Sequence, residues 1–215
     1  MRTTTLEAAV GTIPDGASLM IGGFMAVGTP ERIVDELVRQ RKRDLTVIAN
    51  DTARPGAGIG KLVTAKLVRR AIVSHIGTNP ETQQQMIAGE MEVELIPQGT
   101  LIERIRAAGY GLGGVLTPTG MGTVVEEGKR KIDVDGRDYL LEAPLRADFA
   151  LIQAFLADYL GNLTYVLTAR NFNPVIAMAA ATVIVDAEHV VPVGMIPPDH
   201  VMTPAPLVDY LIARP

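Results

Sequence analysis

Asp15-Gly16-Ala17-Ser18-Leu19-Met20-Ile21-Gly22-Gly23-Phe24-Met25-Ala26-Val27-Gly28-Thr29-Pro30 is the stretch that decides the fold. Leu19, Met20 and Ile21 make the short apolar run of a buried strand. Gly22 and Gly23 follow at once, and Gly28 stands just before Thr29-Pro30. Thr29 suits a helix N-cap and Pro30 the first helical position. The segment therefore reads strand, glycine-lined loop, helix. Glycines let backbone N–H groups come close to a ligand, and a helix N-terminus favours anionic groups. Gly22, Gly23, Phe24, Met25, Ala26, Val27 and Gly28 are accordingly the candidate binding loop. The spacing is neither G-x-G-x-x-G nor a Walker A loop, so it does not name the ligand.

Outward from this unit the pattern repeats. Thr4 and Glu7 suggest a capping box for a short first helix. Pro30–Gln40 is amphipathic, with Ile33, Val34, Leu37 and Val38 on one face. Strands are expected at Leu45–Ala49, Ala71–Ser74 and Glu92–Ile96, alternating with helices at Lys61–Lys66, Asn79–Gly89 and Thr100–Ala107, the last stopped by Gly109. Lys131–Val134 and Tyr139–Leu141 flank Asp135-Gly136 as a β-hairpin. Phe149–Gln153 and Val183–Asp186 read as strands, Pro174–Ala181 as a helix and Leu207–Ile212 as mixed. Alternating strands and helices imply an α/β fold: a mostly parallel open sheet flanked by helices, with a hairpin insertion. No repeat or linker interrupts residues 1–215, so a single domain is expected.

Bulk properties narrow the function. Cysteine is absent, which removes disulfides, thiol nucleophiles and thiolate metal sites. His75, His189 and His200 are scattered without ligand spacing, so no metal site is expected. The net charge of −4 argues against a nucleic-acid partner. Arg39, Arg41, Lys42 and Arg43 cluster at a helix end, where cations suit the dipole. No apolar run reaches the roughly 18 residues of a membrane span, and Met1-Arg2-Thr3 opens no signal segment. A cytoplasmic protein without a membrane partner is the expectation.

Three clusters carry the chemistry. In the first, Asp15-Gly16, the apolar run, Gly22-Gly23-Phe24 and Gly28-Thr29-Pro30 together resemble the signature of alpha (A) subunits in the 3-oxoacid CoA-transferase family. The second, Ile96-Pro97-Gln98-Gly99-Thr100-Leu101-Ile102-Glu103-Arg104, ends a strand and begins a helix. By position alone, Gln98 either closes that loop or turns its amide toward a ligand beyond the strand ends. The run is similar to the same family, and the resemblance implies that Gln98 orients the acyl group. The third is Thr117-Pro118-Thr119-Gly120-Met121-Gly122-Thr123, whose small residues suit either a rigid surface loop or a narrow site. It resembles the family's T-P-T-G loop, although Gly113-Gly114-Val115-Leu116 stands where aromatics are common. Further similarity at Ala49–Thr52, at His75–Glu81 and at Gly161–Tyr165 with Ala169–Pro174 marks Asn50, Thr78 and Asn79 as site wall, with Thr117 and Thr119 of the third cluster, and Arg170 and Asn171 as a subunit contact; by position alone, Asn and Thr in such loops also read as turn and cap formers. His75 reads as a structural, hydrogen-bonded histidine.

The resemblance runs from Asp15 to Pro204 and is nearest the bacterial acetate (acetoacetyl-CoA) branch, ahead of the 3-oxoadipate and succinate branches. It implies a Rossmann-like fold of CoA-transferase type, coenzyme A as substrate with no resident cofactor, short carboxylic acids as acyl partners, and a beta subunit in an α2β2 assembly. It also implies that the attacking glutamate belongs to that beta subunit. Glu103, Glu126, Glu127 and Glu142 are the carboxylates to weigh here, and none stands in the family's nucleophile motif. A sugar-phosphate isomerase needs convergent Lys or Arg for its phosphate, which the loops lack. A non-catalytic ligand-binding subunit stays open.

Overall fold

The computed structural model describes residues 1–213, so the last two positions of the expected domain lie outside the described residues. The first half contains β1 (Arg2–Thr4), α1 (Leu6–Gly11), β2 (Ser18–Ile21), α2 (Glu31–Arg39), β3 (Leu45–Asp51), α3 (Gly60–Thr64), β4 (Val68–His75), α4 (Pro80–Ile87), β5 (Glu92–Leu95) and α5 (Gln98–Gly109). The second half adds β6 (Val115–Thr117), β7 (Lys131–Val134), β8 (Arg137–Glu142), β9 (Ala147–Asp158), β10 (Leu163–Thr164), α6 (Asn173–Ile176), β11 (Ala180–Val191) and β12 (Tyr210–Ile212).

The main sheet runs β1-β12-β11-β9-β2-β3-β4-β5, with every neighbouring pair parallel. Only β10, which pairs with β9, is antiparallel. Alternate side chains of the central strands enter two apolar clusters, one on each face. Leu19, Ile21, Val47, Ala49, Ala71 and Val73 pack in the cluster that includes Val10, Ile33, Leu37 and Leu62 from α1, α2 and α3. Met20, Ile48 and Ile72 point the other way, into the cluster with Leu101, Ile105 and Ile176 from α5 and α6. A sheet buried on both faces needs continuous apolar runs, which is why Leu19-Met20-Ile21 shows no polar alternation.

From β2 the chain steps outward through β3, β4 and β5, whereas β9 on its other side starts the opposite wing. The β2/β9 boundary is thus the topological switch point, where ligands enter open α/β sheets beyond the carboxyl ends of strands. The glycine loop leaves β2 at that point.

Several local expectations shift. Thr5, not Thr4, caps α1 and accepts from Ala8 N–H, so Glu7 is free to pair with Arg39 at 2.6 Å instead of closing a capping box. Pro30 takes the cap position of α2 and Thr29 is buried beneath it. Helix α5 starts at Gln98, two residues earlier than expected, and Gly109 is its last residue. Gly109 is needed there because an added Cβ would lie 2.6 Å from Met178 Cβ. The expected helix Pro174–Ala181 stops at Ile176, since Ala180 already pairs with Ala147 in the sheet. Asp135-Gly136 does turn a hairpin, with both residues at positive φ, and β6 joins it as a third antiparallel strand. Among the described residues no helix is long and apolar enough to cross a membrane, and no cluster of His, Asp and Glu could hold a metal ion.

Candidate active site

Beyond the ends of β2 and β5 lies a cavity of about 780 Å³, lined by Phe24, Val27, Gln98, Gly99, Ile102 and the segment Leu167, Thr168, Arg170, Asn171, Phe172. Its volume falls in the range of small-molecule sites. Phe24 and Val27, 49% and 50% exposed, present apolar surface that folding alone does not bury. Arg170 is the cation of the lining.

The loop is built by its own backbone. Phe24 and Val27 exchange N–H···O bonds of 3.0 and 2.9 Å around the tip Met25-Ala26, which sits in the left-handed region at φ 51° and 72°. Such a conformation is unfavourable for these residues and persists only when clamped. The clamps come from distant parts of the chain. Asn171 Oδ1 accepts the Gly23 N–H at 3.0 Å while its Nδ2 donates to Val27 O at 2.9 Å. Asn173 Nδ2 donates to the Gly28 and Ala169 carbonyls, both at 2.9 Å. Met25 N–H donates to Asp51 Oδ2 at 3.0 Å.

These bonds change the meaning of the glycines. Gly22, Gly23 and Gly28 do not line the cavity; they stand behind it, where an added Cβ would meet Asn173 at 1.9 Å, Thr29 at 1.9 Å and the Ala169 carbonyl at 2.5 Å, respectively. Their close approach is to protein, not to an open pocket. Among the described residues, the loop N–H groups left without an acceptor are those of Ala26 and Gly28. A second loop of the same shape follows β3, with Arg54 bridged to Ala57, and a Cβ at Gly58 would lie 3.1 Å from that of Ala26.

Gln98 occupies the first turn of α5, at the mouth of the cavity. The first N–H groups of a helix have no intrahelical acceptor, so Gln98 and Gly99 also offer backbone donors there. Thr117 and Thr119 lie on the far side of Gly99, in a second cavity of about 540 Å³ that Gly99 also lines. Thr100 reaches the same place with a buried Oγ1 that has no hydrogen-bond partner among the described residues.

Other expected wall residues lie elsewhere. Asn50 is buried behind Gln98, whose Nε2 donates to its Oδ1. Asn79 is 0% exposed and caps α4, accepting from the Glu81 and Thr82 N–H groups; a cap must face its own helix, not a ligand. Thr78 donates to Ala53 O at 2.9 Å and touches Met25 Sδ, so it supports the loop from outside. His75 ends β4 opposite Asp51, and its exposed ring has no hydrogen-bond partner among the described residues, contrary to the hydrogen-bonded histidine expected; an added Cβ on Gly77 would come 2.7 Å from that ring.

Three of the four carboxylates weighed above are otherwise engaged, and Glu127 does not line the cavity. Glu142 is buried against Lys129 and Arg104. Glu126 accepts from Gly122 N–H and pairs with Lys131, and these contacts hold its carboxyl below the usual range. Glu103 lines the smaller cavity but pairs with Arg106 at 3.1 Å. None of the residues lining the larger cavity is an acid. An adjoining cavity of about 660 Å³ shares Arg170 and contains Tyr165, whose phenol is pushed up by burial and bonded to Thr203 at 2.7 Å.

The switch-point cavity, its clamped loop and the parallel sheet around it define an α/β enzyme scaffold. Residues 3–214 match the model of the coenzyme A transferase family, and the chain belongs to that family. It is 57% identical over 208 residues to the acetate CoA-transferase subunit alpha of Escherichia coli strain K12, covering 97% of this chain and 94% of that one. It is 51% identical to the acetoacetyl-CoA:acetate/butyrate CoA transferase alpha subunit of Clostridium acetobutylicum, covering 94% and 92%. The fold matches the acyl-CoA transferase YdiF of E. coli O157:H7, solved as a thioester complex with CoA, at a TM-score of 0.87 and 24% identity. That likeness is one of fold, and it covers 99% of this chain but 47% of YdiF.

Proposed function

We propose that this chain is the alpha-type half of a short-chain acyl CoA-transferase, a cytoplasmic enzyme that exchanges coenzyme A between acetoacetyl-CoA, acetyl-CoA or butyryl-CoA and a carboxylate such as acetate. Residues 1–215 act as one subunit domain, and a beta-type chain completes the site, as α2β2. The observation that carries the reading is the convergence of Phe24, Val27 and Gln98 on one apolar cavity whose lining contains no carboxylate. The names of the two relatives, both alpha subunits, support the missing half.

The partner's glutamate attacks the acyl-CoA carbonyl; the tetrahedral oxyanion collapses, CoA leaves as thiolate and a mixed anhydride remains. The thiolate then attacks the glutamyl carbonyl and expels the first carboxylate, leaving CoA as a glutamyl thioester. An incoming carboxylate reverses both steps. Each displacement builds negative charge on a carbonyl oxygen. Gln98, with the backbone N–H groups of the α5 N-terminus, receives that charge in this reading. Phe24, Val27 and Ile102 exclude water and pack a short acyl chain. Thr117 and Thr119 wall the neighbouring space.

The test is co-purification with the partner chain and assay of CoA transfer from acetoacetyl-CoA to acetate and to butyrate. Ping-pong turnover by the complex, with none by this chain alone, is expected. A purified complex that transfers CoA between no short-chain pair overturns the reading.

A further inference from the structure

Behind Gln98 the buried side chains form a hydrogen-bond chain with a fixed direction. Asp51 is 4% exposed and does not line the cavity. Its Oδ2 accepts from Met25 N–H at 3.0 Å and from Asn50 Nδ2 at 2.7 Å, and its Oδ1 accepts from Ala53 N–H at 2.7 Å. Three donors converge on one group, and a carboxylate is the side chain that accepts on both oxygens while donating nothing. Asn50 must therefore turn its NH2 inward. Its carbonyl oxygen is left facing Gln98, whose Nε2 donates to it. Ser74 Oγ donates at 2.7 Å to the backbone carbonyl of Asn50 and holds that residue in place. Gln98 is left with Oε1 and its second N–H for the cavity it lines.

We propose that Asp51 is a positioning residue, the acceptor that sets the amide orientation of Gln98 through Asn50; this rests on the reading that Gln98 orients the acyl group. The same carboxylate holds the left-handed tip of the binding loop through Met25 N–H, so both walls of the cavity are referred to one buried group. Asparagine at position 51 cannot replace it. Its NH2 would face either Met25 N–H or Ala53 N–H, donor against donor. Saturated by three donors and shut away from the cavity, Asp51 is not the nucleophile.

A double-mutant cycle on the complex with its partner chain, assayed with acetoacetyl-CoA and acetate, tests the relay. Asp51→Asn is expected to lower kcat by about 10- to 100-fold while KM changes less than about 3-fold, the split of a group that acts in the transition state. Combined with Gln98→Ala, the total loss is expected to fall short of the product of the single losses by about tenfold or more, because the group being positioned has gone. Asn50→Ala, which cuts the relay but spares the Met25 clamp, must show the same shortfall with Gln98→Ala, and it serves if Asp51→Asn does not assemble. Losses that simply multiply overturn the proposal and leave the acyl-site reading standing. A wild-type rate in Gln98→Ala alone overturns that reading and the relay with it.

Discussion

Gly28→Ala isolates the contact that closes the back of the binding loop. Gly28 sits at φ +78°, and an added Cβ would come 2.5 Å from the Ala169 carbonyl oxygen and 2.9 Å from Ala169 Cα. These are backbone atoms, and they cannot swing aside as the end of a long side chain would. Gly16 supplies the control, with the same φ of +78° and nothing within 4 Å of an added Cβ. Left-handed backbone costs an alanine about 1–2 kcal/mol at either position. Overpacking against Ala169 adds about 1–3 kcal/mol at Gly28 alone. In a chain of this size about 1 kcal/mol moves Tm by about 2–4 °C. Gly16→Ala is thus expected to lower Tm by about 2–8 °C and Gly28→Ala by about 4–20 °C. Scanning calorimetry reads the two shifts side by side. Activity separates them further, since Gly28→Ala displaces the Leu167–Phe172 wall of the cavity and Gly16 lies at the far end of β2. Equal Tm losses would refute the packing argument, because the variants differ only in what the new methyl meets.

Three other outcomes follow from named contacts. Gln98→Ala should lower kcat of the complex by about 100-fold, the scale of losing one oxyanion donor, as read by single-turnover transfer. Asn173→Leu removes the partner of two carbonyls and of the Gln153 N–H, each left unpaired at about 1–3 kcal/mol, so the urea midpoint should drop sharply. Burial raises the Asp158 pKa, but hydrogen bonds from the Asn162 side chain and the N–H groups of Asn162, Leu160 and Gly161 outweigh it, and the net shift is downward. The folded form therefore binds fewer protons than the unfolded one, and this stability is complete above the ordinary value of 3.8 and lost as pH falls through the lowered one. Tm should accordingly fall steeply below about pH 4 in the wild type and less steeply in Asp158→Asn.

Much of the architecture was legible because the physics is local. Leu19-Met20-Ile21 is apolar at every position, as a strand between two layers of helices must be. Asn79-Pro80 and Asp135-Gly136 declare a helix start and a hairpin turn by their own backbone preferences. What escaped the sequence depends on distance along the chain. Arg2–Thr4 is short and polar, and becomes a strand only by pairing with Tyr210–Ile212 at the other end of the chain. Pro174–Ala181 has helical composition, yet the parallel pairing of Ala180 with Ala147 ends the helix early. The family resemblance implied that the Phe24 loop and Gln98 serve one site, and both line one cavity. The inward turn of Asn50 and the clamping by Asn171 and Asn173 were not expected, since an asparagine in a loop reads as a turn former until its partners are known. The glycines show the same limit: their spacing revealed a tight approach without revealing that Thr29, Ala169 and Asn173 are what approaches.

The central claim is that this chain shapes and polarises the site while another chain attacks. Peptide mapping of the covalent CoA adduct, trapped in the assembled complex with acetoacetyl-CoA, tests it most directly. The adduct is expected as a thioester on a glutamate of the partner, with every acidic residue of this chain unmodified. A CoA-bearing carboxylate on this chain, at Glu103 or Asp51 for example, would contradict it.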